Sequence, residues 1–119
     1  MAAAFNAIQV AAIEAMDNGR ADVTALRAMY TKRRDVLLKG LDALNISYQV
    51  PKGSFYVWAK TPGGMSSEKW VATLLDQAGI MTSPGNGYGP EGEGYFRMAL
   101  IVDEERMKEA VERMKKMEL

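Results

Sequence analysis

Two residue types that carry much of enzyme chemistry are missing from this chain, which has neither cysteine nor histidine. Without cysteine there are no disulfides and no thiolate nucleophile, a composition that fits a reducing cytoplasm. Without histidine the Ser-His-Asp and Cys-His constellations cannot be assembled. A zinc site would then rest on carboxylates alone, which rarely hold that metal, so no metal site is expected. An excess of one charge is lacking too, since 15 basic residues balance 15 acidic ones. A balanced chain has no long-range attraction for nucleic acid or an anionic membrane, and neither is expected as a partner. No apolar run is long enough to cross a bilayer. The opening stretch MAAAFNAIQVAAIEAM lacks a basic lead and carries Asn6, Gln9 and Glu14, so it does not read as a signal peptide.

What is present is a regular alternation of helical and extended patterns. At 119 residues the chain suits a single domain with one core. Phe5, Ile8, Ala12 and Met16 keep helical spacing up to a stop at Asp17-Asn18-Gly19, and no capping side chain stands among residues 1–4. A helix with no evident start is expected where a longer chain has been cut. From about residue 22 to 44 a second helix carries Val23, Leu26, Tyr30, Leu37, Leu41 and Leu44 on one stripe, a length of about 30 Å that braces a domain. ISYQV and SFYVWAK read as two strands around Pro51-Lys52-Gly53. Ser66 is placed to cap a third helix whose apolar face is Trp70, Leu74 and Leu75 and whose stop is Gly79.

IMTS and GYFRMALI are two further strands. Asp103 caps a last helix with Met107, Ala110, Val111, Met114 and Met117 inward, and with Glu104/Lys108, Glu109/Arg113 and Glu112/Lys116 as ion pairs four residues apart. The order ααββαββα predicts an α+β fold: a two-layer sandwich of about four mostly antiparallel strands with helices on one face.

Several motifs fail on context. Gly87-Tyr88-Gly89-Pro90-Glu91-Gly92 spells GxGxxG, but a strand follows where a dinucleotide site needs a helix N-terminus. A loop needing positive φ or close backbone approach is the better account. Ser66-Ser67-Glu68-Lys69 spells SxxK without its SDN and KTG companions, and capping already employs Ser66. Lys32-Arg33-Arg34 lies across a helix and reads as a solvated surface. Tyr56, Tyr88 and Tyr95 are either ligand-stacking rings or core. Arg97 stands out: strand alternation puts it opposite Phe96, Met98 and Leu100, on the face away from the bulky apolar residues. Its planar fork either pairs with Glu91, Glu93 or Asp103 or grips an anionic ligand.

The segments FNAIQVAAIEAM, PKGSFYVWAK, LLDQAGIMTSPGNGYGPEGEGYFRMAL and ERMKEAVERMKKM resemble, in order and spacing, the C-terminal part of class I/II (fold-type I) pyridoxal-phosphate aminotransferases. The likeness is greatest to the LL-diaminopimelate and aspartate aminotransferase-like branch. It implies that Arg97 binds the substrate α-carboxylate and that Gly53 and Phe55, on the hairpin, lie at the mouth of the site. Residues 1–119 would be the small domain: 1–19 a truncated lead-in helix, 20–45 a bracing helix, 46–119 the sheet and its helices. The likeness also implies pyridoxal phosphate in the intact enzyme and an amino acid and a 2-oxo acid as substrates.

The Schiff-base lysine and the phosphate-holding groups of that family lie upstream, and Lys69 does not replace the lysine. This chain is therefore expected to contribute no catalytic and no cofactor-binding residue, to bind no cofactor and to be inactive by itself. Its expected partners are the missing N-terminal cofactor domain and, through the first helix, a second copy. No role beyond shaping the loop is implied for Asn86. The other reading that the residues allow is a self-contained α+β regulatory module sensing a small anion such as an amino acid.

Overall fold

The computed structural model describes residues 4–117. These fall into two compact units, one reaching to Thr31 and one from Lys32 onward. The first holds helix α1 (Asn6–Asn18) and the beginning of α2 (Arg20–Ala43). Phe5 stands at the N-cap of α1 without a side-chain bond, and no residue of α1 is buried. Residues 1–3 of the uncapped opening lie outside the described residues.

The second unit contains the rest of α2, four strands and two further helices. β1 (Tyr48–Gln49), β2 (Tyr56–Lys60), β3 (Ser83–Pro84) and β4 (Tyr95–Ala99) form one antiparallel sheet in the order β1-β2-β4-β3. Val57 and Ala59 of β2 alternate with Tyr56 and Trp58, and Phe96 and Met98 of β4 alternate with Tyr95 and Arg97. The first set is buried and the second half-buried. Period-two alternation thus gives the sheet one core face and one open face. Leu37 and Leu41 of α2, Trp70 and Leu74 of α3 (Ser67–Ala78), and Met107, Val111 and Met114 of α4 (Glu104–Lys115) supply the helical side of the core. Trp70 meets Phe96 edge to face at 5.7 Å. Burying each such side chain contributes roughly 1.5–3 kcal/mol. The expected α+β sandwich and element order stand.

The caps at Ser66, Gly79 and Asp103 are where the sequence puts them. Ser66 accepts from the Lys69 amide, Gly79 is left-handed at φ 61°, and Asp103 accepts from the Arg106 amide at 2.8 Å. Other expectations need correction. Leu75 is exposed, because it lies off the Trp70–Leu74 stripe. Val23 and Leu26 are also exposed, so the buried stripe of α2 is confined to its second half, at Leu37, Leu38 and Leu41. IMTS shrinks to Ser83–Pro84: the Ile80 amide turns back to the Leu74 carbonyl to close α3, and Pro84 has no N–H to continue a ladder. On α4, Lys108 pairs with Glu105 and Lys115 with Glu112, three residues apart rather than four, while Glu109–Arg113 keeps the expected spacing at 3.9 Å. Arg33 is half-buried and donates to the Leu100 carbonyl at 3.1 Å, which ties α2 to the end of β4; the basic run is not simply solvated.

Candidate functional site

The open face of the sheet builds the site from its register. Gln49 pairs with Trp58, Trp58 with Arg97 and Arg97 with Ser83, so one row crosses all four strands with Arg97 inside it. The Arg97 guanidinium carbon lies 3.8 Å from the ring centre of Tyr56 and 4.6 Å from that of Tyr88. A planar cation against aromatic faces is held by its flat sides and keeps its N–H edge available. Among the described residues no carboxylate pairs with it. Glu93 accepts from the Ser67 amide and Asp103 caps α4, which removes two of the three internal partners the sequence offers. Glu91 makes no ion pair either, and the Arg97 Nε is buried without a hydrogen-bond partner. Such a group costs free energy unless an acceptor reaches it.

Beside Arg97 opens a cleft of about 420 Å³, lined by Gln49, Pro51, Lys52, Gly53, Tyr56, Trp58 and Tyr88 among others. Gly53 lies on this lining, and a Cβ built on it would meet nothing within 4 Å. Phe55 is not on the lining; its ring lies against that of Tyr56, with centres 4.4 Å apart and planes tilted by 42°. The structure therefore brings Arg97 and Gly53 together on one cleft and leaves Phe55 off its lining.

Tyr88 reaches Arg97 from the glycine loop, and that loop is built for close approach. It runs through two short 3-10 turns, Gly85–Tyr88 and Pro90–Gly92, with Gly89 at φ 125° between them. The backbones of Gly85 and Gly92 touch so closely that a Cβ on either would collide with the other's carbonyl. Ser67, fully buried, fastens the loop: its hydroxyl donates to the Gly92 carbonyl at 3.2 Å and accepts from the Gly94 and Tyr95 amides at 3.0 and 3.3 Å. Asn86 donates to Glu68 at 3.1 Å, the shaping contact left open by the sequence. The loop leads into β4, not into a helix, so the GxGxxG spelling has no dinucleotide geometry. Lys69 is exposed on α3.

Sequence reasoning passes over Trp58 and Ser67. Trp58 is recoverable from the alternation of YVWAK, which sets it two residues from Tyr56 on the same face. Ser67 carries no local signal, because its partners lie 25 to 28 residues away. Among the described residues no cluster of acidic side chains could hold a metal ion, and no helix is long and apolar enough to cross a membrane.

Comparison with known proteins adds four findings. A family model described as aminotransferase class I and II matches residues 2–114. The LL-diaminopimelate aminotransferase of Syntrophobacter fumaroxidans is 47% identical over 114 residues, 96% of this chain and 29% of that protein. Its counterpart in Maridesulfovibrio salexigens is 47% identical over 113 residues, with 95% and 29% covered. Among solved structures, an aromatic aminotransferase from Pyrococcus horikoshii superposes with a TM-score of 0.85 at 33% identity, over 92% of this chain and 30% of that one. The chain thus spans under a third of the length of these relatives.

Proposed function

Since the chain belongs to the aminotransferase class I and II family, we propose that residues 1–119 form the small C-terminal domain of a cytoplasmic, pyridoxal-phosphate-dependent aminotransferase. This domain grips the substrate carboxylate and takes part in domain closure. The intact enzyme moves an amino group between an amino acid and a 2-oxo acid. One observation carries the reading: Arg97 stands on the open face of the sheet, flanked by Tyr56 and Tyr88, with no carboxylate of the described residues paired to it.

The guanidinium fork offers two parallel donors to a carboxylate, and rings against its flat sides limit the rotamers it must give up on binding. Gly53 keeps the hairpin side of the cleft open, and the hairpin moves with the domain as substrate is enclosed. Phe55 supports the Tyr56 ring and thereby the guanidinium. The lining suits a carboxylate rather than the cofactor. Lys52, its one lysine, is exposed on the hairpin turn, and no acidic side chain lines the cleft to face a pyridinium nitrogen. The cofactor, an electron sink for amino-group transfer, therefore belongs to the part of the protein that this chain does not span. By itself the 119-residue chain is inactive. The self-contained sensing module gains no support from the comparisons.

The test is a chimera in which residues 2–114 replace the matching part of the Syntrophobacter relative. Arg97→Ala should raise KM for an amino-acid donor about 100-fold, the scale of losing two charge-assisted bonds, and leave reaction with an amine lacking a carboxylate unchanged. An unaltered KM would overturn the assignment. The isolated chain should give neither transaminase activity nor a long-wavelength absorbance band with pyridoxal phosphate.

A further inference from the structure

The dipeptide Asn-Gly occurs twice in this chain, at Asn18-Gly19 and at Asn86-Gly87. Glycine has no side chain to shield its amide nitrogen, which can therefore attack the side-chain amide carbon of the asparagine before it. The nitrogen must first leave its own hydrogen bond and swing toward Cγ, so the backbone has to open. With the same dipeptide at both places, the surroundings decide which one reacts. Asn86 is strapped: its side chain donates to Glu68 at 3.1 Å and its carbonyl accepts from the Gly89 amide at 3.2 Å. Around it Gly85 and Gly92 are in backbone contact, and buried Ser67 fastens the loop. Opening there breaks packed structure. Asn18 is held by much less. It ends α1, a helix of 13 residues with none buried. Its side chain donates to Glu14 at 2.8 Å in an exposed pair, and the Gly19 amide donates to the Ala15 carbonyl at 3.1 Å. A short helix without a buried face opens readily.

We propose that Asn18 is a site of spontaneous deamidation and that its conversion unwinds the end of α1. The Gly19 nitrogen gives its proton to water and bonds to the Asn18 Cγ, the Cγ–Nδ2 bond breaks, and ammonia leaves from a five-membered succinimide. Water then adds to either ring carbonyl and opens the ring to aspartate or isoaspartate. The net change is one water gained and one ammonia lost, with no oxidant or other reactant. The new carboxylate has no proton to donate to Glu14, four residues back. It stands next to Asp17 and on the cleft lined by Glu14 and Asp22, at the negative end of a helix whose last turn has no basic residue. Like charges at this spacing and at this end both disfavour the helix. Isoaspartate also lengthens the backbone by one carbon, which interrupts the hydrogen-bond ladder.

The experiment incubates the 119-residue chain in warm neutral buffer and follows both asparagines by peptide-mapping mass spectrometry. Under native conditions Asn18 should convert about tenfold or more faster than Asn86, the gap between a fraying element and a packed one. In unfolding urea the two rates should come within about twofold, because only the shared dipeptide chemistry is left. Asn18→Asp reproduces the charge of the product. In that variant the NMR Cα shifts of residues 14–17 should move toward coil values, with the helix-to-coil ratio there falling about twofold or more. Equal native rates, or Asn86 ahead, overturn the assignment. A native difference that persists undiminished in urea overturns it as well, since the flanking residues and not the fold would then set the order. Unchanged Cα shifts in Asn18→Asp overturn the unwinding and leave the modification site standing.

Discussion

A guanidinium set in a strand of Tyr, Phe and Met stays only if its surroundings replace what water gave it. For Arg97 the replacement is two tyrosine rings and an open edge, not a carboxylate. Ser67 is the other residue on which this geometry depends, because it fastens the loop that delivers Tyr88. Ser67→Ala leaves the Gly94 amide and the Gly92 carbonyl without their buried partner and should cost about 2 kcal/mol in urea denaturation, with Trp58 fluorescence changing as Tyr88 loosens. Equal stability in the variant would show that the loop is held without it. At the sheet edge, the Tyr48 hydroxyl donates to Asp42 at 2.8 Å, and that bond, with slight desolvation and the charge of Asp42, holds the phenol pKa above its ordinary value. A folded pKa above the unfolded one contributes stability that is complete below the unfolded value of about 10 and is lost as pH rises through the folded one. The advantage of the wild-type chain over Tyr48→Phe should accordingly be level at neutral pH and vanish on the alkaline side. The effect is small because the pair is exposed, and comparative denaturation across that range measures it.

At the scale of elements, what the sequence makes legible is what depends on near neighbours. Ser66, Gly79 and Asp103 act on amides or carbonyls within a few residues, so their spacing alone reveals them. The alternation of YFRMA likewise separates Arg97 from Phe96 before any partner strand is known. The length of a strand depends on where its partner ends, and the fastening of the glycine loop depends on a serine on another element; neither is written locally. The joint between α2 and α4 is of this second kind. Gly40 is buried in the last turn of α2, where a Cβ would run into the side chain of Val111. Gly40→Ala should therefore destabilise the fold by about 1–3 kcal/mol through overpacking, despite alanine's better helix propensity. Val111→Ala makes room, so the double variant should be more stable than the sum of the two single losses. Strict additivity in that double-mutant cycle would mean that the helices do not meet at this pair.

For the molecule as a whole, burial is divided unevenly between the two units. Among the described residues every fully buried large side chain belongs to the unit from Lys32 onward, whereas Phe5, Ile8, Val10, Ile13 and Met16 around α1 are each more than half exposed. A helix of 13 residues with no buried face has little beyond its own hydrogen bonds to hold it, and helices of that length are marginal in water. Local stability follows packing, so α1 amides should exchange with solvent orders of magnitude faster than those of α3 and β4 in the same chain, and truncation before Arg20 should leave the denaturation midpoint of the remaining unit in place. Hydrogen-exchange mass spectrometry on the 119-residue chain measures the first and urea unfolding the second. Concentration is the informative variable. If α1 amides exchange equally fast at every concentration, the helix is unsupported in the isolated chain. If their protection grows with concentration and Ile8→Lys abolishes the growth, copies associate through this helix, as its exposed apolar side chains lead one to expect. Full protection of α1 in a dilute monomer would contradict both, because no buried side chain is there to provide it.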